Sequence, residues 1–389
     1  MIVASIRTSF SRVKHQLSNN SCETLFWLVN FMAKFGGYSF FQKKIGAPFW
    51  LLHLGLTFHT YTIGTFMYNK FYAKDVVDYV NSFLNISVLL LISNAGCWTL
   101  FKRSSFQEAL SMVKKNDDLV KESERFSSEH ASRLRFIKML VLANFGFHFV
   151  NDVLIFSTAR IIDVNDIIVS ACAGLNPLSG TLNMAVCKAA LTLQEFTAII
   201  VVGTYDAALI FLVTHTTAMC DILRLDIASI REISAESSHY RDEVISNRLK
   251  NSIYRHSKIL QTVKKLQHIY EIFIGVDFSN YAMSLLVFFV LPLDICLKFG
   301  PLVSHNLLVF FLYCLLGQRL TTAAERIEIA IYDCGWENFT KKDRITVLFM
   351  LKQSQKPVVL FAAKVVPICI YTFAYAMQTI YKFVTVFKV

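Results

Sequence analysis

The chain has 389 residues, of which 54% are hydrophobic, 14% aromatic and only 17% charged, and its mean hydropathy is +0.46. With just 14 Gly and 6 Pro, this balance excludes disordered, collagen-like and low-complexity classes and points to a helical protein dissolved in a bilayer. The formal charge of +11 would suggest nucleic acid in a soluble chain, but its placement along the sequence argues otherwise.

A helix needs about 20 mainly apolar residues to cross roughly 30 Å of hydrocarbon, and seven stretches reach that length. The first runs from Ile45 to Asn69 without a charge, the second from Tyr79 to Phe101, and the third from about Phe136 to Phe156. The fourth, Phe196 to Cys220, carries Asp206, and the fifth, Ile272 to Leu293, carries Asp277. The sixth is Phe299 to Gln318; the seventh, Val358 to Phe387, has Lys364 and Lys382 near its ends, where they can snorkel. Such continuous spans do not fit the short alternating strands of an outer-membrane barrel, so the predicted fold is an all-α seven-span bundle.

Lys and Arg number six before the first span, eight in residues 102–135, nine in 224–272 and seven in 319–356. The alternate connections hold few, among them Lys70, Lys74, Arg160 and Lys298. Positive residues stay on the cytoplasmic side, which predicts a cytoplasmic amino terminus and an extracellular carboxyl terminus. The basic runs are then solvated loops that obey the insertion rule, and no nucleic-acid partner is expected. This orientation is the reverse of a G-protein-coupled receptor, and the Asp-Arg-Tyr and Asn-Pro-x-x-Tyr motifs are missing; the Asn176-Pro177 pair falls in an outer loop.

No phosphate-cradling Gly loop, Gly-x-Ser-x-Gly elbow or His-Glu-x-x-His occurs, so an enzyme is not expected, nor any cofactor. Nine cysteines lack a Cys-x-x-Cys and describe neither a disulfide framework nor a zinc site, and no metal ligands are assigned. Cys172 and Cys187 flank the outer segment between spans three and four, where a bridge and two free thiols both remain open. A transporter is the rival class, but neither inverted repeats nor matched broken helices appear.

Ordered motifs fill the second half of the chain. The fourth span carries Asp206, His215, Met219, Ile222 and Leu223, and a cytoplasmic helix follows with Tyr254, His256, Ile259, Leu260 and Leu266. Then come Gly317, the run Ala330, Ile331, Tyr332, then Trp336, and a Pro-interrupted last helix opening at Gln353 to Pro357 and ending Tyr381, Phe383, Val384, Thr385, Val386. In order and spacing this set resembles the insect odorant receptor family. Gustatory receptors, the related alternative, carry a Gln-Phe signature that does not follow Tyr371, Thr372 and Phe373 here.

The resemblance implies a subunit of an odorant-gated, poorly selective cation channel, assembled as a heterotetramer with a shared co-receptor in the plasma membrane of olfactory sensory neurons. The co-receptor's long insertion between spans four and five is missing at 224–272, which implies the variable, odour-tuning subunit. The expected organisation is a cytoplasmic segment 1–44, spans one to six over 45–318 with the ligand pocket in their outer half, a cytoplasmic inter-subunit anchor at 319–356, and a pore-lining seventh span at 357–389. Within 319–356, Ile327, Ile331, Ile345, Leu348 and Leu351 recur at helical spacing. By resemblance the anchor comprises Ile327, Ile331, Tyr332, Trp336 and Leu348.

On the last helix Lys364, Tyr371, Gln378, Lys382 and Thr385, with Tyr375 between, share one face by spacing. In lipid such a stripe faces either water, four copies then lining a conduit, or neighbouring helices five and six. The resemblance places the gate near the outer end, at Thr385, where the family often carries a bulkier aliphatic residue. Lys382 is likewise unlike a cation path.

Small volatile molecules bind by apolar burial and shape, which calls for an aromatic-lined cavity with few polar groups. The outer halves of the spans offer Tyr79 and Phe83; Phe145, His148, Phe149 and Asp152; Gln194, Thr197 and Ala198; and His305, Leu308 and Val309. Ordinary bundle packing is the plainer role for any one of them. Asp206, costing about 3 kcal/mol unpaired at the bilayer centre, needs water or a partner on His215's side or on a neighbouring span.

Overall fold

The computed structural model describes residues 16–41, 46–71, 73–121, 126–154, 172, 181–234, 240–291, 296 and 300–387. Phe156, Leu293 and Phe299, expected as span ends, lie outside these, as do Arg160, Asn176, Pro177 and Lys298.

Two short helices, α1 (Cys22–Val29) and α2 (Phe31–Phe35), open the described chain, α1 capped by Ser21, whose hydroxyl accepts from the Thr24 amide at 3.2 Å. The first apolar stretch forms α3 (Ala47–Thr57) and α4 (Thr65–Phe71), joined by a π-helical turn over Phe58–Gly64. Pro48 occupies the first turn of α3, where its missing N–H costs nothing. The second stretch is α5 (Val76–Phe101), started by a reciprocal cap between Asp75 and Asp78. An amphipathic α6 (Arg103–Lys121) leads to α7 (Ser127–Asp152), which holds the third stretch.

Two helices dominate the molecule: α8 (Thr181–Ala228) and, beyond the short α9 (Ile230–Ser234), α10 (Arg241–Val290). Next, α11 (Gly300–Tyr332) runs unbroken through the 318/319 boundary expected from sequence, because the charges beginning at Arg319 change the solvent and not the helix. A left-handed Gly335 (φ 84°) and a 3-10 turn at Trp336–Asn338 reverse the chain into α12 (Lys341–Ser354). A two-stranded hairpin follows, β1 (Phe361–Ala362) against β2 (Val366–Pro367), and then α13 (Ile370–Phe387).

Among the described residues, the helical stretches Asp78–Phe101, Leu182–Ser234, Arg241–Phe289 and Gly300–Asn338 are by themselves long and apolar enough to cross a membrane. The most apolar window of the second is 83% interior, against 39% and 44% for the third and fourth, so α8 is the central post and α10 and α11 keep outer faces for lipid. Around α8 pack α11, α7, α10 and α5. One hydrophobic core spans the bundle, with a small second one where Leu84, Phe288 and Leu291 meet. A Cys172–Cys187 disulfide ties the start of α8 to the segment before it, so of the two alternatives the bridge is the one formed.

The seventh stretch needs correction. It is not helical from Val358: Ala363 and Lys364 both adopt positive φ (50° and 62°), the Val365 amide bonds back to the Ala362 carbonyl at 3.1 Å, and Pro367 brings no N–H. The helix begins only at Ile370, so Lys364 lies off the stripe, ion-paired to Glu271 at 3.4 Å.

Candidate functional site

Three elements converge on Asp206. Its position on α8 is 1% exposed, and a carboxylate there requires donors. His148 of α7 brings Nε2 to 2.7 Å from Oδ2, and the Tyr313 hydroxyl of α11 donates to Oδ1. The His148 ring lies 5.4 Å from that of His305, which stacks on Phe147 at 5.7 Å. The preceding residue on α8, Tyr205, points elsewhere and donates at 2.8 Å to Asp277 of α10, whose other oxygen accepts from Asn94 of α5 at 2.7 Å. Both intramembrane acids are thus held by side chains from neighbouring helices, which offsets their cost in lipid.

The expected pocket residues divide into separate groups. His148 and His305 meet as described, while Val309 is buried in the core and Phe145 packs against it. A side chain built on Gly203 would touch His148 and Phe145 at ordinary contact distance, so α7 and α8 lie close here. Gln194 and Thr197 turn instead to the first span: Gln194 Nε2 donates to Thr57 at 3.1 Å, and Thr197 Oγ1 lies 3.0 Å from His53 Nδ1. Ala198 is half-buried against the core and Asp152 half-buried at the end of α7. Tyr79, Phe149 and Leu308 point outward from the bundle. Phe149 follows His148 directly, so the two project about 100° apart around the helix.

An open groove of about 710 Å³ lies between α5 and α10. Phe83, Ser87 and Leu90 form one wall, Gly275, Ser279 and Asn280 the other, and Ala363 and Lys364 close one end. Of the expected pocket residues only Phe83 belongs to it.

On α13, Phe373, Ala376, Met377, Ile380 and Val384 pack inward, in the i, i+3, i+4, i+7 pattern of a buried face. Tyr371, Tyr375, Gln378, Lys382 and Thr385 are all exposed. Of the two faces open to the stripe, packing against spans five and six, here α10 and α11, is therefore taken by the apolar residues. In the anchor segment, Ile327 and Ile331 are core residues, whereas Tyr332, Trp336 and Leu348 are exposed beside Ile345 and Phe349.

Tyr313, His53, Thr57, Tyr205 and Asn94 were not singled out from sequence, and Asp277 stood out there only as an acid within the fifth span. The signal available for Tyr313 was Asp206 itself, since a buried acid implies donors on adjoining spans.

A family model described as the 7tm odorant receptor matches residues 76–381. Odorant receptor 2a of Drosophila melanogaster is 31% identical over 75 residues, a match covering 19% of each protein. The fold resembles that of insect olfactory receptor OR5 from Machilis hrabei in complex with eugenol, with a TM-score of 0.73 and 13% identity over 93% of this chain and 97% of that one. Another structure of OR5 gives a TM-score of 0.70 at 14% identity, covering 89% of each chain. A family match over so much of the sequence, on a bundle of the same architecture, means that this chain belongs to the 7tm odorant receptor family.

Proposed function

We infer that the chain is the odour-tuning subunit of an odorant-gated, non-selective cation channel, formed with a shared co-receptor in the plasma membrane of olfactory sensory neurons. The observation that carries this reading is the exposed polar face of α13. Its apolar side is taken by its own bundle, so Tyr371, Tyr375, Gln378, Lys382 and Thr385 are left for water or for other subunits. The exposed apolar side chains Ile345, Leu348 and Phe349 on α12 offer a contact for neighbouring subunits. For the ligand, a small volatile molecule, apolar walls at Phe145, Phe147 and Val309 lie beside the hydrogen-bonding cluster of His148, Asp206, Tyr313 and His305. OR5, of the same fold, has been solved with eugenol bound.

Co-expression with an insect co-receptor and a volatile panel under voltage clamp tests the reading. Odour-evoked cation current is expected, with Gln378→Cys rendering it sensitive to aqueous thiol reagents and buried Ile380→Cys not. A surface-delivered complex silent to broad panels, or one that moves solute without current, overturns it.

A further inference from the structure

A second polar cluster lies far from the first, where α1, α6 and α8 meet. His215 follows Cys187 by 28 residues on the same helix, about 42 Å along it, so this cluster belongs to the end of the bundle remote from the disulfide. Cys22, Asp117 and His215 are 1%, 0% and 0% exposed. Their ligand atoms, Sγ, a carboxylate oxygen and an imidazole nitrogen, all lie within 4.8 Å of one another. Among the described residues neither ring nitrogen of His215 has a hydrogen-bond partner; Nε2 stops 3.7 Å from Asp117 Oδ1, beyond bonding distance. A fully buried imidazole with both nitrogens unsatisfied is costly unless something binds there.

We propose that Cys22, Asp117 and His215 bind a divalent zinc-class cation that staples the amino-terminal helix to the central helix of the receptor. The donor set is the borderline-soft nitrogen, sulfur and oxygen mixture that Zn²⁺ takes. A tetrahedral ion with bonds of about 2.0–2.3 Å, its fourth position filled by water, sets its donors roughly 3.5 Å apart, so the separations here need only modest contraction. Charge closes as well: binding transfers the thiol proton of Cys22 to solvent, and thiolate plus carboxylate then neutralise the ion beside a neutral imidazole.

The surroundings suit such a site. His130 Nε2 lies 2.6 Å from Asp117 Oδ1, the kind of outer partner that orients a ligating carboxylate. Lys121 pairs with Asp117 Oδ2 at 3.0 Å, and being 41% exposed it can turn to Glu23, 3.7 Å away, when a cation enters.

The test uses the tag-free full chain, purified with its channel partner, stripped by chelator and titrated with Zn²⁺ or Co²⁺ alone. The expected result is one zinc per chain by elemental analysis, and with cobalt a thiolate-to-metal charge-transfer band together with the intense visible bands of a tetrahedral ion. Cys22→Ser should abolish the charge-transfer band, His130→Gln should weaken binding by about 10- to 100-fold, and Cys97→Ser, at an exposed free thiol, should change nothing. If Cys22→Ser does not fold, the wild-type cobalt spectrum alone decides. Wild-type protein with well under one zinc per chain and no thiolate band, or a thiolate band that survives in Cys22→Ser, overturns the proposal.

Discussion

Replacing Asp206 by Leu removes the acceptor shared by His148 and Tyr313 and leaves both buried without it, at a cost of about 1–3 kcal/mol for each group. Asp206→Asn keeps an acceptor for Tyr313 and should cost less. The check is thermal unfolding of the detergent-purified complex, where Leu should fall clearly below Asn and Asn below the parent; equal midpoints would mean that the cluster holds nothing together. That Asp206 requires partners is legible from its position in an apolar stretch, but the identity of the partners is not. His215, the candidate nearest in sequence, is nine residues further along α8, which is two and a half turns and thus the opposite face. It meets Asp117 there, while Asp206 meets residues 58 and 107 positions away.

At the scale of single elements, the hairpin before α13 depends on two glycines. A Cβ on Gly317 would stand 2.2 Å from the Ile368 carbonyl oxygen, and one on Gly275 would stand 2.9 Å from the Ala363 Cβ. The first obstacle is backbone and cannot rotate aside, so Gly317→Ala should displace the hairpin and cost about 1–3 kcal/mol by overpacking. Gly300→Ala, which would meet nothing within 4 Å among the described residues, is the matched control. Surface delivery and odour-evoked current should drop for the first and hold for the second; an unaffected Gly317→Ala would show that the hairpin is not seated on α11. The hairpin itself escaped the sequence reading because Val358 to Val366 is apolar apart from Lys364 and passes for the start of a span. Periodicity placed Lys364 seven residues before Tyr371 on a helix that does not extend so far. The apolar stretches on α5, α7, α8, α10 and α11 were by contrast visible, since a bilayer imposes length and hydropathy on each separately.

For the whole molecule, an epitope after Val389 should be stained on intact cells and one before Met1 only after permeabilisation; reversed staining would contradict the charge-based orientation. The Cys22, Asp117 and His215 site shows where reading from sequence stops. Its ligands are 95 and 98 positions apart along the chain and come from three helices, so no spacing rule can register them. The lengths of the helices have a mechanical consequence. At 50 residues, α10 is a rod of about 75 Å, some two and a half times the roughly 30 Å of hydrocarbon it crosses. Gln267, Glu271 and Gly275, which grip the hairpin leading into α13, sit near its middle. A tilt of about 5° pivoting on that grip would swing the tips by about 2.5–4 Å while leaving the grip itself nearly in place, so such a motion of α10 would reach the start of α13 as a rotation and not as a displacement.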